Sequence, residues 1–189
     1  MFVPEYEITI NEDHFKSTGL STKKYCRIIG YFDELNILRE HYLVIINNPS
    51  KVNDFLTNNR HNIFDLTNTK QFYSGLITKE ANQLKINSPI LFRKNTTKDH
   101  IIQRKKFIKI IMNRLVSDVD MTREDFIDML INGGGYSIMT KDEHSIITEL
   151  SKKNKTLFNY ELYKLHDIKF VGSQDFIDDR LFKYHLLIN

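Results

Sequence analysis

Between Ile101 and Val116 apolar residues return every three or four positions, which predicts a helix. At ~100° per residue, Ile101, Phe107, Ile108, Ile111, Met112 and Leu115 share one side, and Lys105, Lys106, Lys109, Asn113 and Arg114 the other. Ile102 and Ile110 project among the cations, and Arg104 into the apolar stripe. Ser117-Asp118-Val119-Asp120 ends this helix. Thr122, with Asp125 three residues on, opens a second over about 123–132, and the Gly133-Gly134-Gly135 triplet stops it. Tyr136 to Met139 reads as a short apolar link. Thr140 and Glu143 then form a capping box that starts a third helix over about 141–153, with Ile146, Ile147 and Leu150 inward.

Elsewhere, alternation and short apolar runs predict strands. They fall at Glu5–Ile10, at Tyr25–Tyr31, at Tyr42–Ile46 (buried on both faces) and at Pro89–Arg93. Phe32–Arg39 suits either a short helix or a hairpin arm. Ser50 caps a short helix through Leu56, 63–66 reads as a further short strand, and 72–84 fits neither period. The polar run Lys94–Lys98 reads as a linker. It divides the chain into a strand-rich domain or subdomain at 1–96 and a second unit at 97–189. The second unit carries the helical block, then strands at 157–165, 168–171 and 183–188, with a short helix near 176–181 capped by Ser173. The expected fold class is therefore α+β: a strand-rich N-terminal half, a central three-helix block and a small C-terminal β element.

Composition narrows the class. A chain of 189 residues that is 41% apolar and 27% charged is ordinary for a globular protein, and its net charge of +3 is mild. Any contact with nucleic acid would depend on local patches rather than on the overall field. Cys26 is the single cysteine, so no intrachain disulfide forms, in keeping with an intracellular protein. The opening MFVPEYEITI lacks the cations and apolar run of a signal peptide. No stretch approaches ~18 apolar residues, so no membrane contact is expected. Ile occurs 24 times, Lys 19 and Asn 17, against one Ala. That bias reflects AT-rich coding, as in a bacteriophage, a large DNA virus, a low-GC bacterium or an organelle.

Candidate chemistry is sparse. Asp118-x-Asp120-x-Thr122 opens like a calcium loop, but Arg123 and Met129 stand where the loop needs glycine and glutamate. Asp167-x-Lys169 resembles the acidic-x-lysine element of metal-dependent nucleases, with Glu161 as the partner acid it would need. The seven histidines include no H-x3-H pair, and His144 sits in the first turn of a helix, where capping or solvent contact is the ordinary fate. The glycine triplet follows a helix instead of opening one, so it is no phosphate loop. Helices two and three followed by a hairpin have the outline of a winged helix. The second of them, however, opens Lys141-Asp142-Glu143, whose acids repel phosphate.

These readings assign no catalytic residue, cofactor or metal ligand. They point to a non-enzymatic interaction or assembly protein, plausibly a viral or bacteriophage component whose partners are other protein subunits, in the host cytoplasm or the virion. The alternative is a nucleic-acid-binding accessory factor using the helix over 101–116, and a more distant one is a metal-dependent nuclease. The expected contact residues are Ile102, Arg104, Lys105, Lys106, Lys109, Ile110 and Arg114 on that helix, with Lys152, Lys153 and Lys155 further on. Tyr160 and Tyr163 would offer stacking faces beside the second cluster.

Overall fold

The computed structural model describes residues 10–173 with Asp175, Ile177 and Asp178; at 61, 63 and 64 it describes the backbone alone. The described chain runs α1 (Glu12–Thr18), α2 (Thr22–Ile45), α3 (Pro49–Thr67), a 3-10 turn (Lys70–Phe72), β1 (Tyr73–Ile77), α4 (Lys79–Asn87) and α5 (Pro89–Asn95). It continues through β2 (Thr96–His100), α6 (Arg104–Ser117), α7 (Arg123–Gly133), β3 (Tyr136–Thr140), α8 (Lys141–Lys153) and α9 (Asn159–Leu165). The fold is thus mainly helical with one small sheet, and the expected strand-rich first half is incorrect.

The reason lies in the window over which the period is read. Tyr25, Ile28, Ile29, Phe32, Leu35, Tyr42 and Ile45 are buried, and their spacing is helical across all of α2. Taken in pieces, the same residues look like two short apolar strands. Tyr42–Ile46 spans the end of this helix: Tyr42 and Ile45 face the core while Val44 is 84% exposed. The run at Pro89–Arg93 is α5, because the Ser88 side chain accepts a hydrogen bond from the Leu91 amide and Pro89 opens the helix where no N–H is needed. Residues 63–66 lie within α3. Asn159, Tyr160, Leu162 and Tyr163 turn inward from α9, where a strand was expected. Of 168–171, an isolated bridge between Phe170 and Thr78 is all that forms, made by the Lys79 amide donating to the Lys169 carbonyl and the Val171 amide to the Ile77 carbonyl. The expected strands at 5–10 (Ile10 apart) and 183–188, and most of the helix near 176–181, lie outside the described residues.

The helices read at 101–116, 123–132 and 141–153 are present as α6, α7 and α8, and the capping boxes of α7 (Thr122, Asp125) and α8 (Thr140, Glu143) both form. Two details differ. The apolar link after α7 is β3, the central strand of the sheet order β1-β3-β2, parallel to β1 and antiparallel to β2. Ile146 points outward, half exposed, because Glu143 and Ile147 define the buried side of α8.

The β2–β3 register sets Asp99 opposite Ser137 and His100 opposite Tyr136, and α8 leaves directly from the end of β3. The buried Glu143 carboxylate accepts hydrogen bonds from the Thr140 amide (2.8 Å), the Thr140 hydroxyl (2.9 Å) and the Thr78 hydroxyl (2.7 Å). Because Thr78 caps α4 and Thr140 caps α8, one carboxylate joins the starts of both helices. One apolar cluster extends from Leu20 to Ile177 and draws on both sides of position 96. Among the described residues no helix is long and apolar enough to cross a membrane.

Candidate active site

At the end of β2 an acid and an imidazole stand side by side in the sequence, and three other elements close over them. Asp99 is only 3% exposed. Its Oδ1 lies 2.9 Å from His144 Nδ1, on the first turn and a half of α8. Its Oδ2 accepts from Asn159 Nδ2 at 3.1 Å and from the Tyr163 hydroxyl. Asn159 and Tyr163 are four residues apart on α9, so one helical face delivers both donors. Asn159 Nδ2 also donates to the His100 carbonyl at 2.8 Å, which ties the strand end to the same side chain. Both its amide hydrogens are thereby committed to acceptors, and Asn159 Oδ1 is buried without a hydrogen-bond partner.

His100 lies within 3.1 Å (Nε2) of the hydroxyl of Thr67, the last residue of α3. Burial, reinforced by the nearby Arg104 charge, pushes this imidazole down to about 4, so it is neutral at physiological pH. His144 behaves oppositely. The hydrogen bond to Asp99 raises its pKa above the ordinary value, against the opposing effect of its own partial burial. With Asp99 accepting at Nδ1, the proton of neutral His144 sits on Nδ1, leaving Nε2 as the basic nitrogen.

These groups line a groove of about 490 Å³ with Thr97, Lys98, Gln103, Arg104, Thr148, Ser151 and Lys152. Gln103 donates to the Ser151 hydroxyl (3.3 Å) and the Leu157 carbonyl (3.1 Å), bracing α6 against the end of α8. Lys98 is turned aside: its ammonium bonds Asn68 and lies 4.6 Å from the Tyr136 ring centroid. The cations that give the groove its sign are therefore chiefly Arg104 and Lys152.

Among the described residues no group of three or more His, Cys, Asp or Glu side chains is placed to hold a metal ion. The Asp99–His144 contact is not a metal edge either: the Nδ1 proton lies between the two atoms, Oδ2 already accepts from Asn159 and Tyr163, and Arg104 and Lys152 line the same groove.

The expected contact residues scatter around this groove. Ile102 precedes α6 and is 1% exposed, so its side chain forms part of the core and offers no outer contact. Ile110 is half-buried against the same core. Arg104 and Lys152 line the groove. Lys105 donates to Asn53, while Lys106 donates to the Leu157 carbonyl and lies over the Phe158 ring. Lys109, Lys153 and Lys155 are exposed, and Arg114 lies 3.9 Å from Asp118. Tyr160 and Tyr163 are buried, so neither ring is available for stacking.

The nuclease-like Asp167-x-Lys169 element does not assemble. Asp167 occupies a left-handed turn with Lys169 folded onto its own carboxylate, and Glu161 caps α9 by accepting from the Phe158 amide. The sequence reading missed Asp99, His100 and Asn159, and gave His144 only a capping or solvent contact. The available signal was the adjacent acid and imidazole next to a β-bonded segment. Comparisons with protein-family models, curated proteins and solved structures return no match to this chain.

Proposed function

We propose that this groove hydrolyses phosphodiester bonds of nucleic acid, with His144, oriented by Asp99, as the general base. The observation that carries the reading is the 2.9 Å hydrogen bond from His144 Nδ1 to Asp99 Oδ1, which leaves Nε2 basic in a groove lined by Arg104 and Lys152. Arg104 and Lys152 pair with the non-bridging phosphate oxygens. His144 Nε2 accepts the proton as the water oxygen bonds to phosphorus; the opposite P–O bond breaks, and its oxygen leaves with a proton from solvent. Lys153 and Lys155 continue the positive charge beyond Lys152, which favours a polyanion over a single phosphate.

The test is cleavage of end-labelled single- and double-stranded DNA and RNA with and without a chelator. Products that persist in chelator and disappear in Asp99→Ala and His144→Ala support the reading. Intact substrates, or cleavage abolished by the chelator, overturn it.

A specific observation also favours the assembly reading. Ile37 (80% exposed) and Val44 lie seven residues apart on one face of α2. A contact surface for another protein would use that face, with no involvement of the groove. Light scattering of the wild type against Ile37→Ser/Val44→Ser tests it: a homo-oligomer that dissociates in the variant supports self-assembly, and monomers in both remove it.

A further inference from the structure

We infer that the substrate of this groove is RNA, with the ribose 2′-hydroxyl standing in the place given to water above. The inference rests on the reading proposed above and narrows it. Among the described residues that line the groove, the supply of proton acceptors is short. Asp99 is buried, with Oδ1 bonded to His144 Nδ1 and Oδ2 to Asn159 and Tyr163. His100 lies against the Thr67 hydroxyl, and burial leaves it a weak base that titrates at about 4. Lys98 is drawn to Asn68 and the Tyr136 ring. His144 Nε2 therefore supplies the base, and Arg104 and Lys152 supply the positive charge.

Magnitudes decide what such a set can attack. A general base contributes about 10²–10⁴-fold, and a well-placed donor to developing charge about 10²–10³-fold. Attack of water on phosphate esters is among the slowest uncatalysed reactions, so these gains act on a very small starting rate. A nucleophile already joined to the substrate reaches an effective concentration of about 10⁵–10⁸ M. RNA carries one at every linkage, since its 2′-hydroxyl sits on the carbon next to the phosphate-bearing one, where DNA has hydrogen. His144 Nε2 takes the 2′-hydroxyl proton as O2′ bonds to phosphorus. The P–O5′ bond breaks, O5′ leaves with a proton from solvent, and the upstream fragment ends in a 2′,3′-cyclic phosphodiester. Arg104 and Lys152 offset the charge that grows on the non-bridging oxygens. Water then opens the ring at P–O2′. The Nε2 proton passes to O2′ and the water's proton to solvent, so the sum is hydrolysis and the imidazole ends neutral.

The experiment incubates the wild-type chain, in chelator, with one end-labelled sequence made as RNA, as DNA and as 2′-O-methyl RNA. The methylated strand keeps the ribose oxygen and blocks its proton, which separates the nucleophile from the shape of the strand. The expected result is cleavage of RNA, with DNA and 2′-O-methyl RNA cut at least about a thousandfold more slowly. Mass spectrometry of the first RNA products should find a 2′,3′-cyclic phosphate and a 5′-hydroxyl. DNA or 2′-O-methyl RNA cut as fast as RNA, or first products that already carry a linear phosphate, overturn the inference and leave the proposed hydrolysis standing. All three strands left intact, or RNA cut equally by His144→Gln, overturn the reading on which the inference rests, and the inference with it.

Discussion

Two glycines respond to the same substitution in opposite directions. A methyl group added at Gly134 would lie 2.4 Å from Thr67 Cγ2 and 2.6 Å from the Leu130 carbonyl oxygen. The second obstacle is helix backbone and cannot swing aside. Overpacking of this kind costs about 1–3 kcal/mol. At roughly 2–4 °C per kcal/mol for a chain of this size, Gly134→Ala lowers the melting temperature by about 2–12 °C. At Gly30, exposed within α2, the added methyl meets nothing within 4 Å. There alanine removes the backbone-entropy cost of a helical glycine, adding about 0.5–1 kcal/mol and raising the melting temperature by roughly 1–4 °C. Thermal melts and urea titrations of both variants, followed by circular dichroism, measure the two effects. A Gly134→Ala protein as stable as wild type, or a Gly30→Ala protein clearly less stable, would refute this account of the packing. Because Thr67 also contacts His100, the shift forced by Gly134→Ala should reduce nucleic-acid cleavage as well as stability.

Asp99→Ala or His144→Ala reduces cleavage by at least about a hundredfold, whereas Lys105→Glu, at a side chain committed to Asn53, leaves it within about threefold. Initial rates on one labelled substrate decide this, and a Lys105→Glu loss equal to that of Asp99→Ala would contradict it. His100 titrates at about 4 in the fold and at about 6.5 in the unfolded chain. The unfolded chain therefore binds more protons between those values, so this contribution to stability rises with pH across the window. It is complete above about 6.5 and is lost as pH falls toward 4, for a total of roughly 3 kcal/mol. Urea-derived stabilities from pH 4.5 to 7 should show that slope reduced in His100→Gln, and parallel curves for the two proteins would contradict it.

The helices α6, α7 and α8 were legible because each carries a long apolar period, and for α7 and α8 a cap residue marks the start. The same method failed on α2 and α9, where short runs of Tyr, Ile and Leu satisfy both periods when only a few residues are considered. Tertiary contacts decided those segments: α2 buries a stripe along its whole length, and α9 turns Asn159 and Tyr163 onto Asp99. The groove was illegible for a related reason. Asp99, His144 and Asn159 are separated by 45 and then 15 positions and meet only because β2 pairs with β3 while α8 and α9 cover the end of that pair. Charge counting found Arg104 and Lys152, which mark the rim, and overrated Lys105 and Lys106, whose ammonium groups are engaged by neighbouring oxygens.

The most direct test of the central claim is the cleavage rate of His144→Gln beside that of the wild type, measured in chelator on one labelled substrate. The account predicts a loss of at least about a hundredfold in the variant, with an unchanged circular dichroism spectrum. A His144→Gln protein as active as the wild type, or a wild type that leaves nucleic acid intact, would contradict the account.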